Sequence, residues 1–330
     1  MNIEFHYYMT KYLAVMAGFD SDEAETIAYA SQLVDDNKVR FEIEKPDGSL
    51  YKNYITQTID ILKPIPKLMR IYLLYHFLPG DPMYYKASRR DGKMHVLMTT
   101  PASNHAQEIF FETTKSESLY ALGIASHMLA DSISHQNFVG TFDEVNAMHG
   151  LWQQLLPNIG HADAGYKPDI PNLLWEDTRL TKENAIIDNK ERFLLAAKIL
   201  YSNYLVITSH SNKWATTKQT LSEVIGDNLD EKDLGKYETQ KEKRIQKMQE
   251  ILSDDAEYDP DKWFSEAVNV DVKFLNDQKF KYDPFKDKLK FKNNYVNSDW
   301  FRFQEAVREY QRTATIKLEP ILTQLEINEW

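Results

Sequence analysis

Between Ser118 and Gly140 the chain is apolar almost throughout, and three ionisable side chains break it at equal intervals: His127, Asp131 and His135. In a helix each step of four residues turns about 40° and rises ~6 Å, so the three form one continuous polar stripe. Left unpaired among Leu119, Leu122, Ile124, Met128, Leu129 and Ile133, each such group costs roughly 2 kcal/mol or more. The stripe therefore demands partners. A hydrogen-bonded His–Asp network centred on Asp131 meets that demand without further chemistry. Divalent cations meet it too, and geometry restricts how. His127 and His135 stand ~12 Å apart along the axis, awkward for one ion with ligands near ~2 Å but suited to two or more ions spanned by Asp131.

Other histidines stand in unusual places. His6 lies between Phe5 and Tyr7-Tyr8, His76 closes the segment Tyr75-His76-Phe77-Leu78-Pro79-Gly80, and His161 follows Gly160. Asp35 and Asp36 end a run of small and apolar residues and are the best acidic candidates early in the chain. Asp163 is a lesser one, as a ligand or as an orienter of His161. The chain has no cysteine, so a metal must sit on His, Asp, Glu or water, a set suited to hard and borderline cations. The expected ligands are His6, Asp35, Asp36, His76, His127, Asp131, His135 and His161, with Asp131 as bridge and catalytic candidate. His95, His105, His149 and His210 have polar or loop-like surroundings and are expected outside the set.

The ordered motifs carry a resemblance. Glu4-Phe5-His6-Tyr7-Tyr8, Val34-Asp35-Asp36, His76-Phe77-Leu78-Pro79-Gly80, Leu122-Gly123-Ile124-Ala125-Ser126-His127 with Asp131 and His135-Gln136-Asn137-Phe138, then Gly160-His161 and Pro168-Asp169-Ile170-Pro171 follow one another. Over roughly residues 3–205 the chain resembles a bacterial family known only as a domain of unknown function. More remotely, the order of His6, an early Asp, His76, His127 and Asp131 is similar to the zinc-dependent phospholipase C and single-strand nuclease superfamily. That resemblance implies several ions among helices that activate water against a phosphodiester, with zinc the first metal to expect and manganese or iron as alternatives. The chain departs from that superfamily in lacking a leading Trp to supply an α-amino ligand, and in the spacing of its early motifs.

Missing parts remove other enzyme classes. There is no G-x-S-x-G elbow, no phosphate-binding or dinucleotide glycine loop, no H-E-x-x-H, no E-x-x-H pair and no His-Asp dipeptide. Fifty acidic against 39 basic residues give a net charge of -11, which gives no nucleic-acid signal and repels anionic lipid over the surface as a whole. The start MNIEFHYYMTKYL does not resemble a signal peptide, and no run reaches the ~18 apolar residues of a membrane span. A soluble, cytoplasmic product is expected. Two readings remain: a metal-dependent hydrolase, of the phosphoesterase type, acting on a small-molecule or phosphoester substrate, or a non-catalytic helical binding protein whose stripe is a structural network.

The elements that must position these residues are mostly helical, since 11 glycines and 12 prolines in 330 residues leave long helix-period patterns intact. The sequence predicts a mainly α fold, a multi-helix bundle around a central buried helix over 117–135, with a small β-hairpin near 39–55. A first helix is expected over 5–17, a second from the Asp20/Glu23 capping box to Asp35 or Asp36, one from near Pro66 to His76-Phe77, one over 104–114, two before 210, and a long one from Ser298 to about Leu325. KYETQKEKRIQKMQEIL reads as a charged, solvated helix on the periphery. Around 273–292 a loop with short elements is expected. The division expected is a core domain over 1–225 that carries the site and a charged helical extension over 226–330 packed on it.

Overall fold

Ser118 accepts a hydrogen bond from the Ala121 amide and so caps α5 (Leu119–Ser134), in which residues 121 to 134 are all buried. A helix apolar on every face needs neighbours on every face. In the computed structural model, which describes residues 1–58, 70–148, 159–255, 257–269 and 289–327, those neighbours are α2 (Ser21–Asp36), α4 (Asn104–Thr114), α6 (Asn189–Thr208) and α10 (Asp299–Gln324). Side-chain caps begin all four. Asp20 and Glu23 form the reciprocal box expected for α2, and Ser103, Asp188 and Ser298 cap the others. The described part of the fold is mainly α, as the sequence predicts.

Two helical turns are wider than α. The first helix, α1, starts as a π-helix over Glu4–Met9 and continues as α-helix over Thr10–Met16. The short α3 (Tyr72–His76) is π throughout and closes with the Phe77 amide on the Tyr72 carbonyl at 2.7 Å. Such wide turns concentrate at functional sites, and each of these carries one candidate histidine, His6 or His76. The expected helix start near Pro66 lies outside the described residues, as do His149 and most of 273–292.

Close approach of α2 and α5 rests on one residue. A Cβ on Gly123 would stand 2.5 Å from the Ile27 carbonyl oxygen and 2.6 Å from the Ala30 Cβ, so only glycine lets the backbones meet there. One turn after Gly123 comes His127, and Asp35 stands in the last turn of α2.

Strands are few and short. The hairpin β1 (Glu42–Glu44) with β2 (Leu50–Lys52) forms as expected, and β6 (Leu289–Lys290) joins it in parallel to give the order β2-β1-β6. A second sheet, β4-β3-β5 (Ile186–Asp188, Leu173–Glu176, Leu229–Asp230), has no counterpart in the sequence reading. Its strands are two to four residues long, too short for alternation to register. It occupies part of the stretch where two helices were expected before residue 210. Among the described residues between α5 and that point only α6 is a full helix, and 3-10 turns at Glu144–Asn146, Ala162–Ala164 and Lys167–Asp169 fill much of the rest. Trp175, Phe138, Leu173 and Ile187 form a satellite core beneath this sheet.

Beyond α6 come α7 (Trp214–Ile225), α8 (Tyr237–Leu252) and α9 (Lys262–Ala267). α10 packs on α4, α5 and α9, and α8 packs on the first turn of α1. Among the described residues no helix is long and apolar enough to cross a membrane.

Candidate metal centre

The stripe of α5 meets four other parts of the chain. Asp131, 1% exposed, accepts at Oδ1 from the α-amino group of Met1 and faces His6 Nε2 at 3.1 Å. Its Oδ2 lies 3.0 Å from His76 Nδ1 and 3.1 Å from His127 Nε2. Asp35 Oδ1 completes that side, 3.8 Å from His76 Nδ1 and 3.7 Å from His127 Nε2. At the other end of the stripe, His135 Nε2 is 3.0 Å from Asp169 Oδ1, and His161 Nε2 is 3.4 Å from Asp169 Oδ2. The Met1 amine sits between the ends, 3.3 Å from His135 Nε2 and from Asp169 Oδ1.

Three donor groups result: His6, His127 and Asp131; Asp35, His76 and His127; His135, His161 and Asp169. Tetrahedral ligands at ~2.1 Å from a zinc ion stand ~3.4 Å from one another. Most of the separations above fall close to that value.

Backbone carbonyls decide where the imidazole protons are. His127 Nδ1 lies 2.8 Å from the Ser31 oxygen, His135 Nδ1 2.9 Å from the His76 oxygen, His161 Nδ1 2.8 Å from the Gly165 oxygen, and His76 Nε2 3.0 Å from the Thr56 oxygen. A carbonyl only accepts, so each ring donates its N–H outward. The second nitrogen then carries a lone pair, and in all four rings it faces a carboxylate or another imidazole nitrogen. His76 Nδ1 and His127 Nε2 stand 3.2 Å apart with Asp131 Oδ2 against both. Three acceptors in van der Waals contact repel unless protons or a cation stand among them.

Burial opposes the proton solution at His6 and at His135. His6 is held well below the usual histidine range by burial and then by His127 and the α-amino group. Burial likewise lowers His135 to about 4. His76 is raised: burial acts downward, but its hydrogen bond to Asp131 and the charges of Asp131 and Asp35 outweigh it. For Asp131 burial is the largest influence and acts upward, but His135, the α-amino group, His127 and His6 together hold it well below the carboxylate range. Asp169 is held down against burial in the same way by His161, the amine and His135. Asp35 is raised, chiefly by burial. The amine rises to about 10, since Asp131, Asp169 and Asp35 overcome its desolvation. Neutral His6 and His135 beside ionised Asp131 and Asp169 are in the protonation states that bind metal.

Over residues 1–318 the sequence matches the Family of unknown function (DUF6765). The chain belongs to this family. No curated protein and no solved structure matches it. Family membership thus covers the centre and most of the C-terminal third, well past the motifs that end near residue 205.

The structure gathers seven of the eight residues expected from sequence: His6, Asp35, His76, His127, Asp131, His135 and His161. Asp36 is the exception. One residue past Asp35 on a helix it turns about 100° away, accepts from Gln32 Nε2 at 3.0 Å, and lies toward Tyr258 and Asp261. Asp163 does not orient His161, whose Nδ1 goes to Gly165; one Asp163 oxygen receives the Met148 amide at 3.3 Å. His95 pairs with Asp143 at 3.3 Å and His210 packs at Gly18; neither these nor His105 enters a donor group.

Two participants escape sequence reasoning. Asp169 sits in a 3-10 turn with no periodicity to mark it, and its only signal is the Pro168-Asp169-Ile170-Pro171 motif. The Met1 amine has no side-chain signature at all. Gly160 explains how His161 arrives: at φ +53° a Cβ there would stand 2.4 Å from the Phe77 ring, so glycine lets the turn close over the ring that stacks on His135.

Proposed function

We propose that the protein is a metal-dependent hydrolase of the phosphoesterase type, with its divalent cations, zinc first among them, held by His6, Asp35, His76, His127, Asp131, His135, His161 and Asp169. What carries the reading is the set of four imidazoles that each place one nitrogen on a backbone carbonyl and turn the other toward carboxylates. Outward N–H bonds of this kind are how metal-ligating histidines are oriented, whereas a network built for hydrogen bonding would alternate donors with acceptors. Asp131, with an oxygen toward each of two donor groups, is the bridge. The unpaired Nδ1 of His6 leaves that ring free to place either nitrogen inward.

A cavity of about 1140 Å3 opens onto the centre and is lined there by Asp35, His76, His135, His161 and Asp169, which is room for a small-molecule substrate. A divalent cation, when bound, supplies Lewis acidity toward a phosphoryl or acyl oxygen and toward water. The apolar wall of Phe77, Ile159 and Ile170 limits water around the reacting group. His135, His161 and Asp169 orient whatever reaches the floor of the cavity. The order of ligands along the chain, similar to the zinc-dependent phospholipase C and nuclease superfamily, supports a phosphoester over an acyl substrate. Residues 1–225 are read as the domain that carries the centre, with 226–330 packed on it.

Elemental analysis of protein purified without chelator or affinity-column metal tests the reading, together with hydrolysis of bis(p-nitrophenyl) phosphate and p-nitrophenyl acetate before and after chelation. Two or three zinc equivalents and chelator-sensitive phosphodiester cleavage are expected. Metal-free protein whose melting ignores chelator would leave the structural network as the correct account.

A further inference from the structure

The charged segment that reads as a solvated peripheral helix buries one of its cations. Arg244, on α8, is 5% exposed, and its partner Glu4, on the first turn of α1, is 2% exposed. The guanidinium meets the carboxylate through both Nε and one terminal nitrogen, and reaches Asn172 Oδ1 at 3.4 Å with the other. Two turns earlier on α8, Tyr237 Oη receives Asn2 Nδ2 at 2.7 Å. Asn2 also organises the turn itself. Its Nδ2 bonds Glu4 Oε2 at 2.9 Å, its Oδ1 accepts the Glu4 amide at 3.0 Å, and its carbonyl accepts the Phe5 and His6 amides at 2.9 Å.

A buried ion pair is a poor source of stability, because desolvation offsets most of the attraction, and its best-attested use is to set register. Here the element whose register it sets carries Met1 and His6, and both face Asp131. A ligand displaced by even ~0.5 Å leaves productive geometry.

We propose that α8 is a positioning element for the metal centre: the Arg244–Glu4 pair and the Tyr237–Asn2 hydrogen bond hold the first turn of the chain so that His6 and Met1 meet Asp131. This rests on the reading of the centre as a metal site. It gives the acidic C-terminal third a role in ion binding, one that its composition does not suggest. Tyr237 and Lys241 of the same helix also line the cavity, so α8 forms part of its wall.

The test compares full-length wild type, Tyr237→Phe, Arg244→Lys and the double variant Glu4→Gln/Arg244→Met, with any tag at the C-terminus. Zinc affinity is read by competition with a chromophoric chelator, and apo stability by melting in excess chelator. Loss of an outer partner typically weakens metal binding ten- to a hundredfold. The double variant, which removes both charges and strands neither, is expected in that range, with Tyr237→Phe and Arg244→Lys weaker than wild type by a smaller factor. Apo melting temperatures are expected to stay close to wild type for Tyr237→Phe and Arg244→Lys. A merely structural clamp would lower apo melting and leave zinc affinity of the folded protein within twofold of wild type in all variants, and that result overturns the positioning role while leaving the metal site standing. Wild type that binds no zinc overturns both.

Discussion

Asp131→Asn separates a metal bridge from a hydrogen-bond hub, and its effect on the metal-free protein is expected to be small. Asparagine keeps the shape and one acceptor, so it can still receive His6 Nε2 and the Met1 amine at Oδ1. At the other position it places an NH2 where Oδ2 now stands 3.0 Å from His76 Nδ1 and 3.1 Å from His127 Nε2. In the amide variant the charge that raises His76 is gone, so its ring keeps one proton on the Thr56 carbonyl as His127 keeps its own on Ser31, and the amide donates to the two nitrogens that the carboxylate holds by charge. Asp169, 3.3 Å from the amine, still neutralises it. Apo Asp131→Asn is therefore expected within about 1 kcal/mol of apo wild type, where loss of bonds in a simple His–Asp network costs about 1–3 kcal/mol.

The metal-bound proteins diverge. A site filled at a thousand times its Kd adds about 4.1 kcal/mol. For a chain of 330 residues the unfolding entropy is ~0.7 kcal/mol/K, so each filled site raises Tm by ~6 °C. Differential scanning fluorimetry with excess zinc and with chelator checks this. Wild type is expected to lose at least that much on chelation and to regain it with zinc, while Asp131→Asn regains at most the share of the one group that holds its ligands apart from Asp131 and its neighbours, His135, His161 and Asp169. A wild-type Tm indifferent to chelator, with Asp131→Asn lower by ~2–4 °C throughout, would refute the argument.

Asp35→Asn and Asp169→Asn are each expected to remove about one zinc equivalent, and Asp36→Asn none; mass spectrometry under native conditions counts the ions. Gly123→Ala forces a Cβ to 2.5 Å from the Ile27 carbonyl, so a loss of about 1–3 kcal/mol in urea unfolding is expected, with weaker zinc binding because α2 and α5 carry Asp35 and His127. Asp261 is raised to about 6, by burial first and then by Asp259 and Asp36. Its unfolded value is ~3.9, so the folded state binds the extra proton between those pH values and stability falls as pH rises through that window. Asp261→Asn, melted in chelator, is expected to match wild type at pH 4 and to exceed it above pH 6; equal melting at both would remove the assigned cause.

The central helix and its polar stripe are legible in the sequence, because a run apolar on all faces has only one kind of place in a fold and three ionisable groups inside it stand out against that background. The capping box of α2, the hairpin and the start of α10 are legible for a similar reason: each depends on residues within a few positions of one another. The second sheet is not, since strands of two to four residues are stabilised by partners ten or more residues away and leave no period to count. Asp35 and Asp36 are equivalent as letters; the 100° between them on α2, and the approach that Gly123 allows, decide which one faces His127. Asp169 and the Met1 amine come from a turn and from a backbone terminus, whose positions follow from packing alone. The charge pattern of α8 reads as solvated because Arg244 is indistinguishable in sequence from its exposed neighbours. Only the docking of that helix on the first turn of α1 buries it against Glu4, since the carboxylate that pairs with it lies 240 residues earlier in the chain.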